Sequence, residues 1–479
     1  MPPSSDTPPV IVWFRQELRI VDHPALTEAA KTGAPVIPLF IFNDKTAGSW
    51  TPGAASRWWL EGSLSALDAD LRSRGSRLIL RRGNTQQLLG CVASQTGAAG
   101  IYFTRHYEPH QAAEELTVAA MCEHQGLICR RFGGGVLFEP DAIRTKTGGP
   151  FRVFTPFYKA CLATKGLKDP LPAPDKITPP PSWPDSETLK DWCLRPTAPD
   201  WAKGLRDHWQ QGTNEASTHL EFFLGDALAA YLEDRDRPDR VGTSALSPYL
   251  HFGEISPRQV WHRTNLWADS HVAAGQGRIA YLRELVWRDF SYHLLHHFPH
   301  ITEAPFNPAF EDFPWRDDAQ AFRAWQIGMT GYPIVDAGMR QLWQTGWMHN
   351  RVRMIVASFL TKHLFIHWQD GARWFWDTLV DADLANNSAS WQWVAGCGAD
   401  AAPYFRIFNP ILQGRKFDPS GDYVRKWVPE IADVPDRAIH APWESGIQVD
   451  GYPRPIVDHR IARQRALGAY KDFRAKGER

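Results

Sequence analysis

The sequence predicts an α/β N-terminal domain with a doubly wound parallel sheet, followed by an all-α C-terminal domain. In the first 135 residues, short β-branched runs alternate with amphipathic stretches. From about Trp201 onward, apolar and aromatic residues recur at spacings of three and four, which is typical of helices. The length of 479 residues also favours two or more domains, because one hydrophobic core rarely serves more than about 250–300 residues.

Five short apolar runs within residues 1–135 are predicted to be buried strands. They are Val10–Phe14, Pro35–Phe42, Arg77–Arg81, Gly100–Thr104 and Leu127–Arg131. Helices are predicted between them at Pro24–Lys31, Ala54–Arg74 and His110–His124. Because helical crossovers join neighbouring strands, the sheet should be parallel. No G-x-G-x-x-G follows the first strand, so this domain lacks the usual signal for a dinucleotide.

Residues 136–200 are predicted to be a proline-rich connector between the domains. Nine prolines fall between Gly166 and Asp200, and proline removes backbone donors that regular structure needs. The helical domain then covers residues 201–479, with helices over Val352–Leu364 and Ala372–Val380 among others. Sixteen of the 22 tryptophans lie in this domain, an excess that heavy core packing or a second role must explain.

The chain carries no net charge, with 53 basic and 53 acidic residues, which excludes a globally basic nucleic-acid coat. Two windows nevertheless lack acidic residues. One lies between Asp336 and Asp370 and the other spans 401–417. Their arginines and lysines predict either local strips that track a phosphate backbone or a solvated basic face.

The remaining composition predicts a soluble cytoplasmic protein. Its six cysteines form no C-x-x-C pair, so we expect reduced thiols and no zinc site. The N-terminus MPPSSDTPP has no basic or apolar region of a signal peptide. The longest apolar runs, such as Val36–Phe42, are far shorter than the ~20 residues of a membrane helix.

Two segments of the helical domain combine polar groups suited to a ligand. Thr243–Ser247 places three hydroxyls beside Gly242, so its backbone N–H groups could form a phosphate-binding nest. An ordinary capped helix start is the alternative. Glu284, Trp287 and Arg288 share a helix face that suits a nucleic-acid base and its phosphate. A surface ion pair beside a core tryptophan is the alternative there.

A third segment is rich in short polar side chains. Asp381 and Asp383 lack the glycine and terminal glutamate spacing of a calcium loop, so we expect no metal. Asp381 could pair with an arginine such as Arg353, whereas Asp383 and Asn387, four residues apart, could face a flat polar heterocycle. In the sequence that follows, Trp391 and Trp393 cannot both face one packing surface, so one of them should line a cavity or the protein surface.

Several long motifs resemble those of the DNA photolyase/cryptochrome family over nearly the whole chain. They are WFRQELR (13–19), VFTPFYK (153–159), TSALSPYLHFGEISPRQ (243–259), TGWMHNRVRM (345–354), DADLANNSASWQW (381–393) and APYFRIFNP (402–410). The resemblance implies an α/β domain and a helical domain that binds FAD. Ala245 departs from the family motif, where a larger basic residue is common, but backbone contacts to phosphate should survive this change.

The resemblance also assigns cofactor-binding residues. Those for the FAD phosphates are Tyr231, Thr243, Ser244, Ala245, Leu246 and Ser247. Those for the rest of the cofactor are Glu284, Arg288, Arg353, Asp381, Asp383 and Asn387, with Asn387 near flavin N5. An antenna chromophore is implied as well, and methenyltetrahydrofolate is the expected one, without assigned residues.

Two asparagines indicate the branch of the family. Asn350 stands where a histidine is found in (6-4) photolyases and animal cryptochromes, and Asn387 stands where plant cryptochromes tend to have aspartate. Together with the plant-like segment SPYLHFGEIS, they resemble bacterial class III photolyases of cyclobutane pyrimidine dimers (CPDs). A cryptochrome-like photoreceptor without repair activity is the main alternative, and a light-independent nucleotide enzyme is the third.

The implied reaction is light-driven electron transfer from reduced FAD to a CPD flipped out of DNA. Residues expected to bind the dimer or DNA are Glu284, Trp287, Arg288, Asn350, Arg351, Met354, Trp393 and Arg406. Those expected to act in catalysis are Glu284 and Asn350 at the dimer, and Trp391, Trp368 and Trp315 as an electron relay to oxidised flavin. DNA is the expected partner, with no membrane, no obligate protein partner, no long signalling tail and a monomeric state.

Overall fold

The computed structural model describes residues 7–44, 48–164, 166–401 and 405–477. For residues 476 and 477 it describes only the backbone. Two segments used in the sequence analysis therefore lie partly outside the described residues. They are the N-terminal segment MPPSSDTPP, of which 1–6 are not described, and the APYFRIFNP motif, of which 402–404 are not described.

The N-terminal part is built on a five-stranded parallel sheet. Its strands are β1 (Val10–Phe14), β2 (Val36–Phe42), β3 (Ile79–Arg82), β4 (Gly100–Thr104) and β5 (Ile128–Phe132), in the spatial order β3-β2-β1-β4-β5. The central strand β1 is parallel to both neighbours, so that Ile11 lies opposite Ile37 on one side and Ile101 on the other. The order reverses at β1, which makes the sheet doubly wound and confirms the predicted fold class.

Nineteen α-helices are found in the described part of the chain. They are α1 (Pro24–Lys31), α2 (Ala54–Ser73), α3 (Thr85–Thr96), α4 (Pro109–His124), α5 (Phe154–Ala163), α6 (Lys203–His208), α7 (Thr213–Phe222), α8 (Tyr231–Asp234), α9 (Ser247–His251), α10 (Pro257–Ser270), α11 (Gly275–His297), α12 (Ala319–Gln326), α13 (Pro333–Thr345), α14 (Asn350–Ser358), α15 (Trp368–Thr378), α16 (Leu384–Ala395), α17 (Pro410–Phe417), α18 (Asp422–Trp427) and α19 (His459–Gly477). Two π-helical turns extend helices, at Phe223–Ala227 and Phe359–Leu364. None of these helices has the length and apolar content that crossing a bilayer requires.

Helix α11 is the centre of the helical part. It packs against α5, α8, α10 and α16 and buries Leu285, Val286 and Phe290. Helix α5 belongs to the segment 136–200, and it is the one α-helix among the described residues of that segment. Farther along, Thr178 accepts a backbone hydrogen bond from Val36 (2.8 Å), so the proline-rich chain runs along the sheet. The domain boundaries themselves stay a prediction.

Buried polar groups join the sheet layer to the helical part. The Glu254 carboxylate accepts hydrogen bonds from the Trp59 indole (3.0 Å), the Ser63 hydroxyl (2.8 Å) and the Gly212 backbone N–H (2.6 Å). Burial raises the pKa of Glu254 to about 7, against the lowering effect of these donors. Asp22, also fully buried, accepts a hydrogen bond from the Arg258 guanidinium at 2.6 Å.

We expect Glu254→Ala to lower the free energy of unfolding by about 3 kcal/mol, because the Trp59 and Gly212 donors would stay buried without an acceptor. Urea unfolding followed by far-UV circular dichroism measures the change. Lys31→Ala is the matched control, since it removes only an exposed pair with Glu28 and should cost less than about 0.5 kcal/mol. Equal effects of the two substitutions would contradict the structural role of Glu254.

Candidate active site

The loop between α8 and α9 exposes an unusual number of backbone donors. The N–H groups of Thr243, Ser244 and Ala245 donate to no acceptor among the described residues. Ala245 has a φ of 51°, in the left-handed region that non-glycine residues rarely adopt, and such strain is concentrated at functional sites. A Cβ on Gly242 would lie 2.7 Å from the carbonyl oxygen of Asp234, so only glycine fits this close approach. The loop therefore has the donors of an anion-binding nest.

Two further side chains fix this loop from neighbouring elements. The Tyr281 hydroxyl donates to Ser244 Oγ (3.1 Å), and the Trp347 indole donates to Ser247 Oγ (3.2 Å). Leu246 is buried beneath the loop, and its N–H donates to Ser244 Oγ (3.4 Å). Three of the predicted loop residues thus have structural partners in addition to their predicted role.

Arg235 provides a positive charge close to the loop. It is the residue after α8, lies over the Tyr231 ring at 5.4 Å and forms an ion pair with Glu284 at 2.7 Å. Burial raises the pKa of Tyr231 further above its ordinary value, so its hydroxyl stays a neutral donor. The sequence analysis missed Arg235, although its position four residues after Tyr231 was a usable signal.

Arg353 and Asp381 form the ion pair that the sequence suggested. Arg353 Nη2 lies 2.7 Å from Asp381 Oδ2, and Arg353 Nε donates to the carbonyl oxygen of Met348 at 2.7 Å. The second oxygen, Asp381 Oδ1, is buried and has no hydrogen-bond partner among the described residues. Because buried acceptors are almost always satisfied, this atom indicates a ligand donor such as a ring N–H.

His349 lies between this pair and the nest, since its carbonyl oxygen accepts from the Arg353 N–H at 3.0 Å. His349 caps α14, where its Nδ1 accepts from the Arg351 N–H (3.2 Å), and its buried Nε2 has no partner among the described residues. Burial lowers the pKa of His349 to about 4, so the ring is neutral. Its ring lies edge-on to Trp347, which contacts the nest. Asn350 is exposed at the first position of α14.

Asp383 is engaged on both of its oxygens. Oδ1 accepts from the backbone and side chain of Asn386, both at 2.8 Å, and Oδ2 accepts from the Tyr292 hydroxyl and faces His251. Burial would raise the pKa of Asp383, but the neighbouring donors and charges lower it to about 2. Asp383 therefore holds the start of α16 in place. Asn387, one turn later, is buried and donates to the carbonyl oxygen of Ala372 (3.0 Å).

Two half-buried tryptophans lie near the protein surface on α11 and α16. The Trp287 ring stacks on Phe154 with centroids 3.5 Å apart and an angle of 7°. The Trp393 indole donates to the carbonyl oxygen of Asp400 (3.1 Å), and Arg406 lies over its ring at 5.8 Å. Met354, the other predicted apolar contact, is partly exposed on α14. These side chains are suited to stack on flat, apolar groups.

Of the three predicted relay tryptophans, Trp368 begins α15, Trp391 lies on α16 and Trp315 lies in the segment before α12. Trp315 is partly exposed and contacts His367 (5.4 Å), which stacks on Trp368 (5.7 Å). Trp391 packs on α15 at Gly371, where a Cβ would lie 2.2 Å from the indole. Gly371 follows Trp368 by three residues, so both residues lie on one side of α15. The Trp391 indole, which packs on Gly371, is therefore on the same side of α15 as Trp368.

The acid-free window between Asp336 and Asp370 does not form a basic strip. Arg340 pairs with Glu430 (2.7 Å) and Arg351 pairs with Asp236 (2.6 Å). Lys362 is fully buried, where it donates to the carbonyl oxygen of Ala395. With Arg353 paired to Asp381 as well, these basic side chains are each paired or buried and do not form a continuous strip, and the contact of Arg351 with phosphate stays a prediction. The acids that neutralise it come from distant parts of the chain.

Arg288 also differs from its expected environment. Its Nη1 donates to the carbonyl oxygen of Gly135 (2.8 Å), and its guanidinium lies over the Tyr292 ring at 4.6 Å. Only 13% of the side chain is exposed, so Arg288 joins the two parts of the protein rather than pointing outward with Glu284 and Trp287.

One group of side chains in the described structure has metal-ligand spacing. The ligand atoms of Asp141, His296 and His297 lie within 4.8 Å of one another. Arg105 and Arg144 both pair with the same Asp141 carboxylate, at 2.6 and 3.0 Å, and their positive charge opposes binding of a cation.

Taken together, these features define a protein with an α/β layer and a helical domain whose interior is prepared for a large anionic ligand. Two family models match the chain: "DNA photolyase" over residues 10–175 and "FAD binding domain of DNA photolyase" over residues 281–472. The chain belongs to the DNA photolyase family, which includes cryptochromes among its relatives.

Individual relatives match over almost the full length. A deoxyribodipyrimidine photo-lyase from Agrobacterium fabrum is 50% identical over 476 residues, which cover 98% of both chains. Cryptochrome-1 from Arabidopsis thaliana is 39% identical over 468 residues, covering 93% of this chain and 68% of the cryptochrome. The crystal structure of a bacterial class III photolyase from Agrobacterium tumefaciens superimposes with a TM-score of 0.94 at 49% identity, covering 99% of each chain.

The residues present fit the FAD of this family. The nest supplies free N–H donors for the phosphates, and Asp381 Oδ1 supplies an unpaired buried acceptor for a ring N–H. Asn387 supplies a buried amide on α16.

We expect Asp381→Ala to weaken FAD binding about tenfold or more, because it removes the free acceptor and leaves Arg353 unpaired. The ratio of flavin absorbance to protein after dialysis measures this loss. Asp436→Ala, which removes an exposed partner of Arg425, is the control and should retain native FAD content. Full retention by Asp381→Ala would contradict the assignment of Asp381 to the cofactor.

Proposed function

We propose that this protein repairs cyclobutane pyrimidine dimers in DNA in a light-driven reaction that depends on reduced FAD. The full-length similarity to a class III photolyase carries this proposal. The site supports it, because α16 carries both the cofactor residue Asn387 and Trp393 and packs against α11, the helix of Glu284 and Trp287. Asn350 and Asn387 support a CPD photolyase over a (6-4) photolyase or a plant-type cryptochrome.

When bound and reduced, FAD supplies one electron to the dimer after light absorption. The protein binds the cofactor through the Thr243–Ser247 loop with Tyr231, and through Arg353, Asp381 and Asn387 around the ring. Burial of Asp381 and Asn387 keeps water from competing for these hydrogen bonds. Asp383, both of whose oxygens are engaged, acts by fixing α16, and Arg288, whose Nη1 donates to Gly135, acts by fixing α11.

The dimer would lie between Trp287 and Trp393, with Met354 completing the apolar surface. The exposed Asn350 amide can donate to a carbonyl oxygen of the dimer. Glu284 can accept from a base N–H, and its ion pair with Arg235 holds the carboxylate in one orientation. Arg235 then supplies a positive charge at the place where negative charge develops on the dimer.

The DNA backbone would be contacted chiefly by Arg406, which is exposed beside Trp393. Arg351 is partly exposed but paired with Asp236. A phosphate that contacts Arg351 must therefore share the guanidinium with the Asp236 carboxylate. Arg288, the third arginine expected to bind the dimer or DNA, is the least accessible of the three because of its burial.

A second chromophore would fit the cleft at the carboxyl ends of β1 and β2. Trp13, Phe42, Trp50, Glu108 and Trp376 are among the residues that line this cleft. It lies beside the point where the strand order reverses, the usual ligand site of doubly wound sheets. Methenyltetrahydrofolate stays the expected antenna, and a monomeric, cytoplasmic protein stays part of the proposal.

Blue-light repair of oligonucleotides tests the proposed function. We expect the reduced holoenzyme to restore a CPD-containing oligonucleotide and to leave a (6-4) photoproduct unrepaired, as measured by chromatography of the products. Dark incubation is the control. Repair of neither lesion, with FAD bound and reduced, would favour the photoreceptor, and repair of the (6-4) product alone would contradict the assignment made from Asn350.

We expect Trp391→Phe to slow photoreduction of oxidised flavin, because phenylalanine is much harder to oxidise than tryptophan. Repair by enzyme that was chemically reduced beforehand should continue, since the relay is then not needed. Absorbance changes under blue light measure the first property and product chromatography the second. Trp427→Phe, a buried substitution away from α15 and α16, is the control. Equal loss of both activities in Trp391→Phe would refute the relay.

A further inference from the structure

We propose that Asp400 is a positioning residue that sets the two tryptophan walls of the dimer pocket, Trp287 and Trp393, relative to each other. Asp400 lies in the turn after α16, between the motifs that carry the family resemblance. The inference rests on the proposed function, because it concerns the dimer-binding surface of that same activity.

The backbone of Asp400 holds the first wall. Its carbonyl oxygen accepts the hydrogen bond from the Trp393 indole at 3.1 Å. Trp393 is half-buried, and a partly buried indole N–H needs an acceptor, so this bond selects the orientation of the ring. The turn is packed closely against α16, since a Cβ on Gly398 would lie 2.9 Å from the backbone nitrogen of Trp393.

The side chain of Asp400 holds the second wall through Phe154. Asp400 Oδ2 accepts from the Phe154 backbone N–H at 3.2 Å. Phe154 is the first residue of α5, so this N–H has no acceptor within the helix, and a carboxylate there also complements the helix dipole. The Phe154 ring in turn stacks on Trp287 at 3.5 Å.

The conformation of Asp400 is costly without such contacts. Its φ is 54°, in the left-handed region, which only glycine, asparagine and aspartate adopt with any frequency. Strain of this kind persists where surrounding contacts determine the backbone, and here they come from α5 and α16. Asp400 therefore contacts both walls: its backbone oxygen accepts from Trp393, and its carboxylate accepts from Phe154, on which Trp287 stacks.

The charge of Asp400 and its positioning role predict different effects of its removal on DNA binding. A carboxylate beside Trp393 and Arg406 repels phosphates, so its removal should strengthen binding to any DNA. Loss of positioning instead weakens binding only to DNA that contains a dimer, because only the dimer uses both walls. The sign and selectivity of the change therefore separate the two effects.

Two substitutions of Asp400 test the role of its side-chain oxygen as the acceptor for the Phe154 N–H. Asp400→Gly tolerates the positive φ and removes the carboxylate, whereas Asp400→Asn tolerates the same φ and keeps an oxygen acceptor without the charge. Phe154→Leu removes the stacked ring and serves as a second route to the same loss. Asp175→Gly, at an exposed site in the proline-rich segment, is the control for the loss of one acidic residue.

Affinity is measured in the dark with FAD-loaded protein, by fluorescence anisotropy on matched oligonucleotides with and without one CPD. We expect Asp400→Gly and Phe154→Leu to weaken binding to the CPD oligonucleotide about tenfold, with FAD content and binding to undamaged DNA retained. Asp400→Asn should stay within about threefold of the native affinity, since the acceptor remains. Asp175→Gly should change neither affinity.

Several results would overturn the inference. They are an unchanged preference for the CPD in Asp400→Gly, an equal loss of affinity for both oligonucleotides, and an Asp400→Asn variant as weak as Asp400→Gly. If Asp400→Gly does not fold, Phe154→Leu and Asp400→Asn decide the question by the same criteria. A native protein without preference for the CPD would overturn the proposed function together with this inference.

Discussion

The packing of α11 against α16 is the constraint on which the rest of the site depends. Helix α11 carries Glu284 and Trp287, and α16 carries Asn387, Trp391 and Trp393. The hydrogen bond from the Tyr292 hydroxyl on α11 to Asp383, the N-cap of α16, joins the two helices at a buried point. Since Asp383 also satisfies the first turn of α16, one carboxylate sets both the start of that helix and its position against α11.

Buried polar contacts then extend this arrangement to the rest of the protein. Arg288 connects α11 to the chain after β5, and Glu254 connects the segment after α9 to α2. Each of these groups would be costly to bury without its partners, so each contact specifies one relative placement of the sheet and the helices.

The ion pairs, too, join residues that are far apart in the sequence. The sequence places basic residues in acid-free windows, but folding brings acids from distant segments to them, as Asp236 to Arg351 and Glu430 to Arg340. Ion pairs form between residues that are close in space, and a window of sequence records only closeness along the chain. A local charge run is therefore weak evidence for a binding surface in a protein with balanced total charge.

The sequence by itself determined the fold class, all five strands to within two residues, five of the helices near their observed bounds and, through its resemblance to a known family, the cofactor and reaction. These follow from hydrophobic periodicity and from ordered motifs, which are local properties of the chain. Only the tertiary structure decided that Arg235 forms an ion pair with Glu284 and that both oxygens of Asp383 are engaged at the start of α16. It also decided that Asp400 accepts hydrogen bonds from both Trp393 and Phe154. The physical reason is that each of these contacts joins atoms on different elements, whose separation is set by how the helices pack rather than by the residues between them.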